Sequence, residues 1–95
     1  MDLLWTNPNP TASFAAQTIP LDLSKYTFVV MVTSDSNGMA LVGYTRDTLI
    51  VGNNFVNPRS RSFRALTNGV IVSDGYQGTT LTNDNCVPYQ IYGMK

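Results

Sequence analysis

The sequence contains no histidine and no glutamate, so all six of its acidic residues are aspartate. Histidine is the side chain best placed to exchange protons near neutral pH, and a glutamate of raised pKa is a common substitute. Without histidine, a serine nucleophile would need a desolvated lysine as its base. The two lysines, Lys25 and Lys95, lie in a polar turn and at the chain end. The sequence therefore predicts a protein that is not an enzyme.

Cysteine is equally scarce. The single Cys86 cannot form an internal disulfide, and no neighbour in sequence would lower the pKa of its thiol, so we expect a buried structural side chain. The Cys and His clusters of zinc and iron sites are missing. Residues 35–37 and 83–85 carry oxygen ligands, but neither segment has the spacing of a calcium loop, and both are typical of turns. We predict no metal and no cofactor.

The sequence also has few charged residues and no long apolar run. Charged residues make up 13% of the chain, and six Lys and Arg balance six Asp. This balance gives no reason to expect a nucleic acid partner. No apolar run approaches the about 18 residues of a membrane helix, and the N-terminus lacks a secretion signal, so no membrane insertion is predicted. A surface of low and balanced charge favours association between copies of the chain.

The sequence does contain short apolar runs separated by Asn, Gly, Asp and Pro. Tyr26–Thr33 is the strongest predicted strand; it is apolar on both faces, and we place it centrally. Residues 11–19 predict a half-buried strand, and 52–54 predict a turn. The Asn-Gly pairs at 37–38 and 68–69 predict hairpins with primed turns. Residues 1–95 are therefore expected to form one all-β domain, an antiparallel β-sandwich or jelly-roll-like fold with about seven to nine short strands.

Two groups of residues suit a binding site. Arg59, Arg61 and Arg64 form the basic cluster, which can bind phosphate, a glycan carboxylate or an Asp of a neighbouring chain, or can instead be a solvated strand face. Tyr76 lies between glycines in a predicted loop, where its ring can stack on a sugar, although small β domains also need aromatic residues in the core. The predicted ligand-binding residues are Tyr76, Gln77, Asn53, Asn54, Arg59 and Arg61.

Three segments resemble the C-terminal head domains of bacteriophage tail fibre and minor structural proteins. They are the Leu-Trp start at 3–5, the segment Ile19–Tyr26 that leads into a strand, and the ending Pro88–Lys95. The resemblance covers essentially the full chain. Its motifs are structural and not catalytic, and Met94 stands where this family usually has Ile.

The resemblance implies a β-sandwich or jelly-roll-like head, commonly a homotrimer, at the tip of a fibre on the virion. It implies contact with the bacterial surface, and a head domain excised from a longer fibre protein. Together with the candidate binding residues, this leads us to expect a host cell-surface glycan as the partner of a multimer. It carries no motif for receptor contact, because receptor surfaces vary between phages. The alternative function is a purely structural virion module, such as a decoration, trimerisation or adaptor domain without receptor contact.

Overall fold

The computed structural model describes residues 1–34, 40–45, 48–54 and 59–95, with the backbone alone at 41 and 48–54. These residues form ten β-strands and no helix, which confirms the all-β prediction. Two of the ten strands are only two residues long, so the strand count slightly exceeds the predicted range. The strands are β1 (Asp2–Thr6), β2 (Gln17–Pro20), β3 (Phe28–Thr33), β4 (Ala40–Tyr44), β5 (Thr48–Asn54), β6 (Arg59–Leu66), β7 (Gly69–Val72), β8 (Tyr76–Gln77), β9 (Thr80–Leu81) and β10 (Pro88–Met94).

The strands form two antiparallel sheets. Sheet A has the order β1-β10-β3-β4, which confirms the central position predicted for β3. Sheet B has the order β2-β7-β6-β8-β9, and β5 pairs with the other edge of β6. The first half of β6 pairs with β8, and its second half pairs with β7.

The hydrophobic core lies between the two sheets. Along β3, Val29 and Met31 are fully buried, whereas the alternating residues are half-buried or exposed, as the two-residue period of a strand requires. Sheet B contributes the alternating residues of β6 and β7. The rings of Trp5 and Phe14 pack in a T-shaped arrangement, with centroids 6.2 Å apart. The buried hydrophobic cluster comprises Phe14, Ile19, Leu23, Val29, Met31, Phe63, Ala65, Val70, Val72, Val87 and Ile91.

Two local predictions were wrong. Only residues 17–19 of the strand predicted at 11–19 are extended, β2 continues through Pro20, and the preceding loop brings Phe14 into the core. Pro20 fits within β2 because this edge strand pairs only with β7 and needs no donor on its outer side. Residues 52–54 are not a turn but part of β5, because their pairing with the long β6 outweighs the turn preference of Gly and Asn.

The β6–β7 hairpin confirms one prediction and corrects its turn type. Leu66 pairs with Gly69 around a two-residue loop. A primed turn needs positive φ in that loop, but among the described residues only Cys86 and Gly78 have positive φ. A Cβ atom at Gly69 would lie 2.8 Å from the carbonyl oxygen of Ile19, so the close approach of β2 is what favours glycine here. The Asn-Gly pair at 37–38 lies outside the described residues.

Candidate functional site

The register of sheet B aligns three predicted binding residues in one cross-strand row. Arg59, the first residue of β6, pairs with Gln77 of β8 on one side. On its other side it pairs with the backbone of Asn54 in β5. The row ends in Thr80 of β9, which pairs with Gln77. Residues from four strands therefore meet at one end of the sheet, although 26 positions separate Asn54 from Thr80.

The neighbouring row contains two more of the six predicted binding residues, Asn53 and Tyr76. Ser60 pairs with Tyr76 and with the backbone of Asn53, and Tyr76 pairs with Leu81. Residues 61, 63 and 65 of β6 are buried, so the alternating Ser60 lies on the outer face of the sandwich, and its cross-strand partner Tyr76 shares that face. Tyr76 is half-buried, and Leu81 is 55% exposed. By the same alternation Arg59 and its partner Gln77 lie on the inner face, at the end of the sheet. We call the two rows together the β6–β8 corner: Asn53, Asn54, Arg59, Ser60, Tyr76, Gln77, Thr80 and Leu81.

A tight hairpin fixes Tyr76 and Gln77 in place. The β8–β9 turn contains Gly78 with φ of 59°, a conformation that side chains with a Cβ atom rarely adopt. Tyr76 and Gln77 were predicted in an irregular loop, but they form a short strand because β7 leaves the first half of β6 without a partner on that side. Pairing on both sides restricts the backbone of Tyr76 more than a loop would.

Arg61 does not lie on the surface, so its predicted surface position was wrong. Its side chain is 1% exposed. Nη1 donates to the carbonyl oxygens of Phe14 at 2.8 Å and Ser73 at 2.6 Å. Nη2 donates to the carbonyl oxygens of Asn85 at 2.9 Å and Asn83 at 3.2 Å. Neither a solvated strand face nor a surface ligand contact describes this residue.

The Arg61 guanidinium instead stabilises the two connections that lead into β8 and out of β9. The chain leaves β7 through residues 73–75 to enter β8, and it leaves β9 through residues 82–85, so Arg61 binds both connections. Gly75 reinforces them: its N–H donates to Asn83 Oδ1, and its carbonyl accepts from the Thr82 N–H, both at 2.8 Å. A Cβ atom at Gly75 would lie 2.7 Å from Arg61 Nη2, so only glycine fits beside the guanidinium.

Other aromatic candidates for sugar binding lie apart from the corner. Trp5 belongs to the core edge. Tyr44 and Tyr92 lie on the outer face of sheet A. Tyr89 is 38% exposed. It borders a shallow depression of about 420 Å³ lined by Pro10, Thr11, Thr33, Ser34 and Tyr89.

Two shifted pKa values lie outside the corner. Hydrogen bonds from the hydroxyl and the amide of Ser24 lower the pKa of Asp22. The hydrogen bond that the Tyr26 hydroxyl donates to Asp2 is the main cause that raises the pKa of Tyr26.

The described part of the chain contains no group of three or more His, Cys, Asp or Glu that could hold a metal ion. None of the described residues belongs to a helix long and apolar enough to cross a membrane. Cys86 is fully buried, as the sequence predicted.

Comparison with known proteins gave no relative. No family model, no curated protein and no solved structure matches the chain. The β6–β8 corner and the resemblance of the three sequence segments are the features that bear on function.

Proposed function

We propose that this chain is a noncatalytic tail-fibre head domain of a bacteriophage, and that it binds carbohydrate on the host bacterial surface as a multimer. One observation carries the binding part of the proposal. The register of sheet B aligns Asn53, Asn54, Arg59, Tyr76 and Gln77 at one end of the sheet. The phage assignment is supported by the sequence resemblance alone.

The chemistry of the corner suits a sugar. The ring of Tyr76 offers a flat face for the apolar side of a pyranose, and Leu81 extends that surface. The hydroxyl of Ser60, which shares the outer face with Tyr76, is a hydrogen-bond partner for ring hydroxyls. Arg59 and Gln77 lie on the alternate, inner face of their strands, so they border this surface at the end of the sheet and do not share the face of Tyr76.

A single site of this size binds weakly. The corner is an open surface formed by two short rows of residues, and sugars compete with water for every hydrogen bond. Several copies on one fibre tip raise the overall affinity through their effective concentration, without any new contact. Binding by a multimer is therefore part of the proposal.

The test is binding of the chain to cells of the host strain and to a glycan array. We expect Tyr76→Ala to reduce binding at least tenfold, because it removes the stacking surface from an otherwise intact sheet. Tyr89→Ala is the matched control, since it removes an exposed tyrosine outside the corner. Equal binding by Tyr76→Ala and the native chain, with both folded by thermal melts, would exclude the corner as the glycan site.

A second function, a structural virion module without receptor contact, is favoured by the apolar outer face of sheet A. Leu3 and Val42 on that face are each 53% exposed, and such a surface suits protein contacts better than sugar contacts. Added chain should block phage adsorption if it binds the receptor. Unchanged adsorption at saturating chain would favour the structural module.

A further inference from the structure

The outer face of sheet A is apolar across all four strands. Tyr92 of β10 pairs with Leu3 of β1 on one side and with Val30 of β3 on the other, and Val30 pairs with Val42 of β4. Paired residues share a face, so these four side chains form one continuous row. Leu3 and Val42, at the two edges, are each 53% exposed.

A second row extends this surface. Phe28 pairs with Met94 on one side and Tyr44 on the other. The rings of Phe28 and Tyr44 lie against each other, with centroids 5.6 Å apart and planes inclined by 49°. The exposed fractions of Phe28, Tyr44 and Met94 are 39%, 40% and 36%. We call these seven residues the sheet A patch: Leu3, Phe28, Val30, Val42, Tyr44, Tyr92 and Met94.

The patch lacks the polar residues that usually cover a solvent-facing sheet. The remaining paired residues on this face are Thr6, Gln90, Val32 and Ala40, so no paired outward position in the described part of sheet A carries a charge. An antiparallel sheet with one solvated face normally alternates apolar inward residues with polar outward residues. In β3 the alternation fails, because Val30 and Val32 face outward.

We propose that the sheet A patch binds a second copy of this chain. The patch is uncharged and the whole chain has zero formal net charge, so no long-range repulsion opposes the approach of two copies. An uncharged face also gives no electrostatic preference for a basic or acidic partner. The proposal identifies the surface behind the multimer of the proposed function, but it requires no carbohydrate.

The area of the patch predicts the strength of this association. Four strands about 4.8 Å apart, paired over about six residues of 3.4 Å each, give a face of roughly 400 Å² per copy. A standard stable interface buries about 800 Å² per partner. The patch thus provides about half of that area, and the chain alone is expected to associate reversibly and to dissociate on dilution.

The test is the solution mass, by light scattering or sedimentation equilibrium, between about 1 µM and about 1 mM, a range that brackets weak association. We expect the native chain to approach its monomer mass of 10.4 kDa at the lowest concentration and to exceed it as the concentration rises. Val42→Glu should weaken association at least tenfold, because it places a charge at the edge of the patch. Leu3→Glu tests the same row at the opposite edge.

Ile71→Glu is the matched control. Ile71 is a β-branched residue of β7, 40% exposed on the outer face of sheet B, so it provides the same change away from the patch. A native chain that stays at 10.4 kDa throughout would overturn the proposal and leave the patch to a different partner. Association by folded Val42→Glu and Leu3→Glu as strong as that of the native chain would also overturn it. Because no glycan is present, this result is independent of the corner.

Discussion

Replacement of Arg61 by methionine tests whether its buried guanidinium stabilises the β6–β8 corner. Methionine keeps an apolar stem of similar length but removes the donors that bind four carbonyl oxygens. The acceptors on Phe14 and Asn85 belong to fully buried bonds. The variant therefore leaves at least two buried carbonyl groups without these donors, in a region where water has little access.

The expected loss follows from these contacts. A buried acceptor that loses its donor costs about 1–3 kcal/mol, so the two buried carbonyls give roughly 2–6 kcal/mol. The native chain must also desolvate the guanidinium, and the variant avoids that cost, which lowers the net effect. We expect Arg61→Met to reduce the free energy of unfolding by about 2–4 kcal/mol. For a chain of this size the corresponding fall in Tm is roughly 10–30 °C.

Urea denaturation and thermal melts provide the measurement. Arg64→Met is the control, because Arg64 lies on the same strand but is exposed, and we expect a change of at most about 0.5 kcal/mol. Arg61→Lys keeps the charge but lacks the planar fork, so it should recover little of the loss. Full stability of Arg61→Met, within about 0.5 kcal/mol of the native chain, would refute the assigned role of Arg61.

Two further predictions concern Tyr26. Gly93→Ala should reduce the free energy of unfolding, measured in urea, by about 1–3 kcal/mol, because the new Cβ atom would lie 2.6 Å from Tyr26 Cδ1. Unchanged stability would mean that the Tyr26 ring moves aside without loss. Asp2→Asn should lower the raised pKa of Tyr26, measured by ultraviolet titration against a Tyr26→Phe reference, since the hydrogen bond to the Asp2 carboxylate is its main cause. The stabilisation from this contact is present below the ordinary tyrosine pKa of 10.0 and is lost as pH rises through the raised folded value.

The sequence predicted the fold class because alternation and turn residues are local signals. Tyr26–Thr33 contains β-branched and aromatic residues throughout, and in the structure its last six residues form the inner strand β3. The errors at residues 11–16 and 52–54 arose where distant partners decided the outcome. Phe14 enters the core from a loop, and Asn53 and Asn54 are extended because β6 pairs with them. Such pairings are not encoded in a window of neighbouring residues.

The residues of the candidate site were predicted only in part, again because pairing between distant strands decides their positions. Tyr76 and Gln77 were identified from their neighbouring glycines, but only the register of sheet B aligns Gln77 with Arg59 and Tyr76 with Ser60. The burial of Arg61 had a sequence signal, since Arg61 shares its strand face with Phe63 and Ala65. The carbonyl groups that accept hydrogen bonds from Nη1 and Nη2 of Arg61 come from loops 12 to 47 positions away, so a sequence pattern could not reveal them.

The proposed glycan site and the sheet A patch lie on opposite sides of the sandwich. Tyr76 belongs to the outer face of sheet B, whereas Val42 belongs to the outer face of sheet A, with the core between them. Copies that associate through the sheet A patch would therefore keep Tyr76 on the periphery, where several corners can reach one cell surface. Val42→Glu should then weaken binding to whole cells while leaving the affinity for a small soluble glycan unchanged, because only the multivalent gain depends on association. Tyr76→Ala should weaken both kinds of binding and leave the solution mass unchanged. If Val42→Glu instead reduced the affinity for the small glycan, the two surfaces would be coupled, and their separation by the sandwich would not describe how the protein binds.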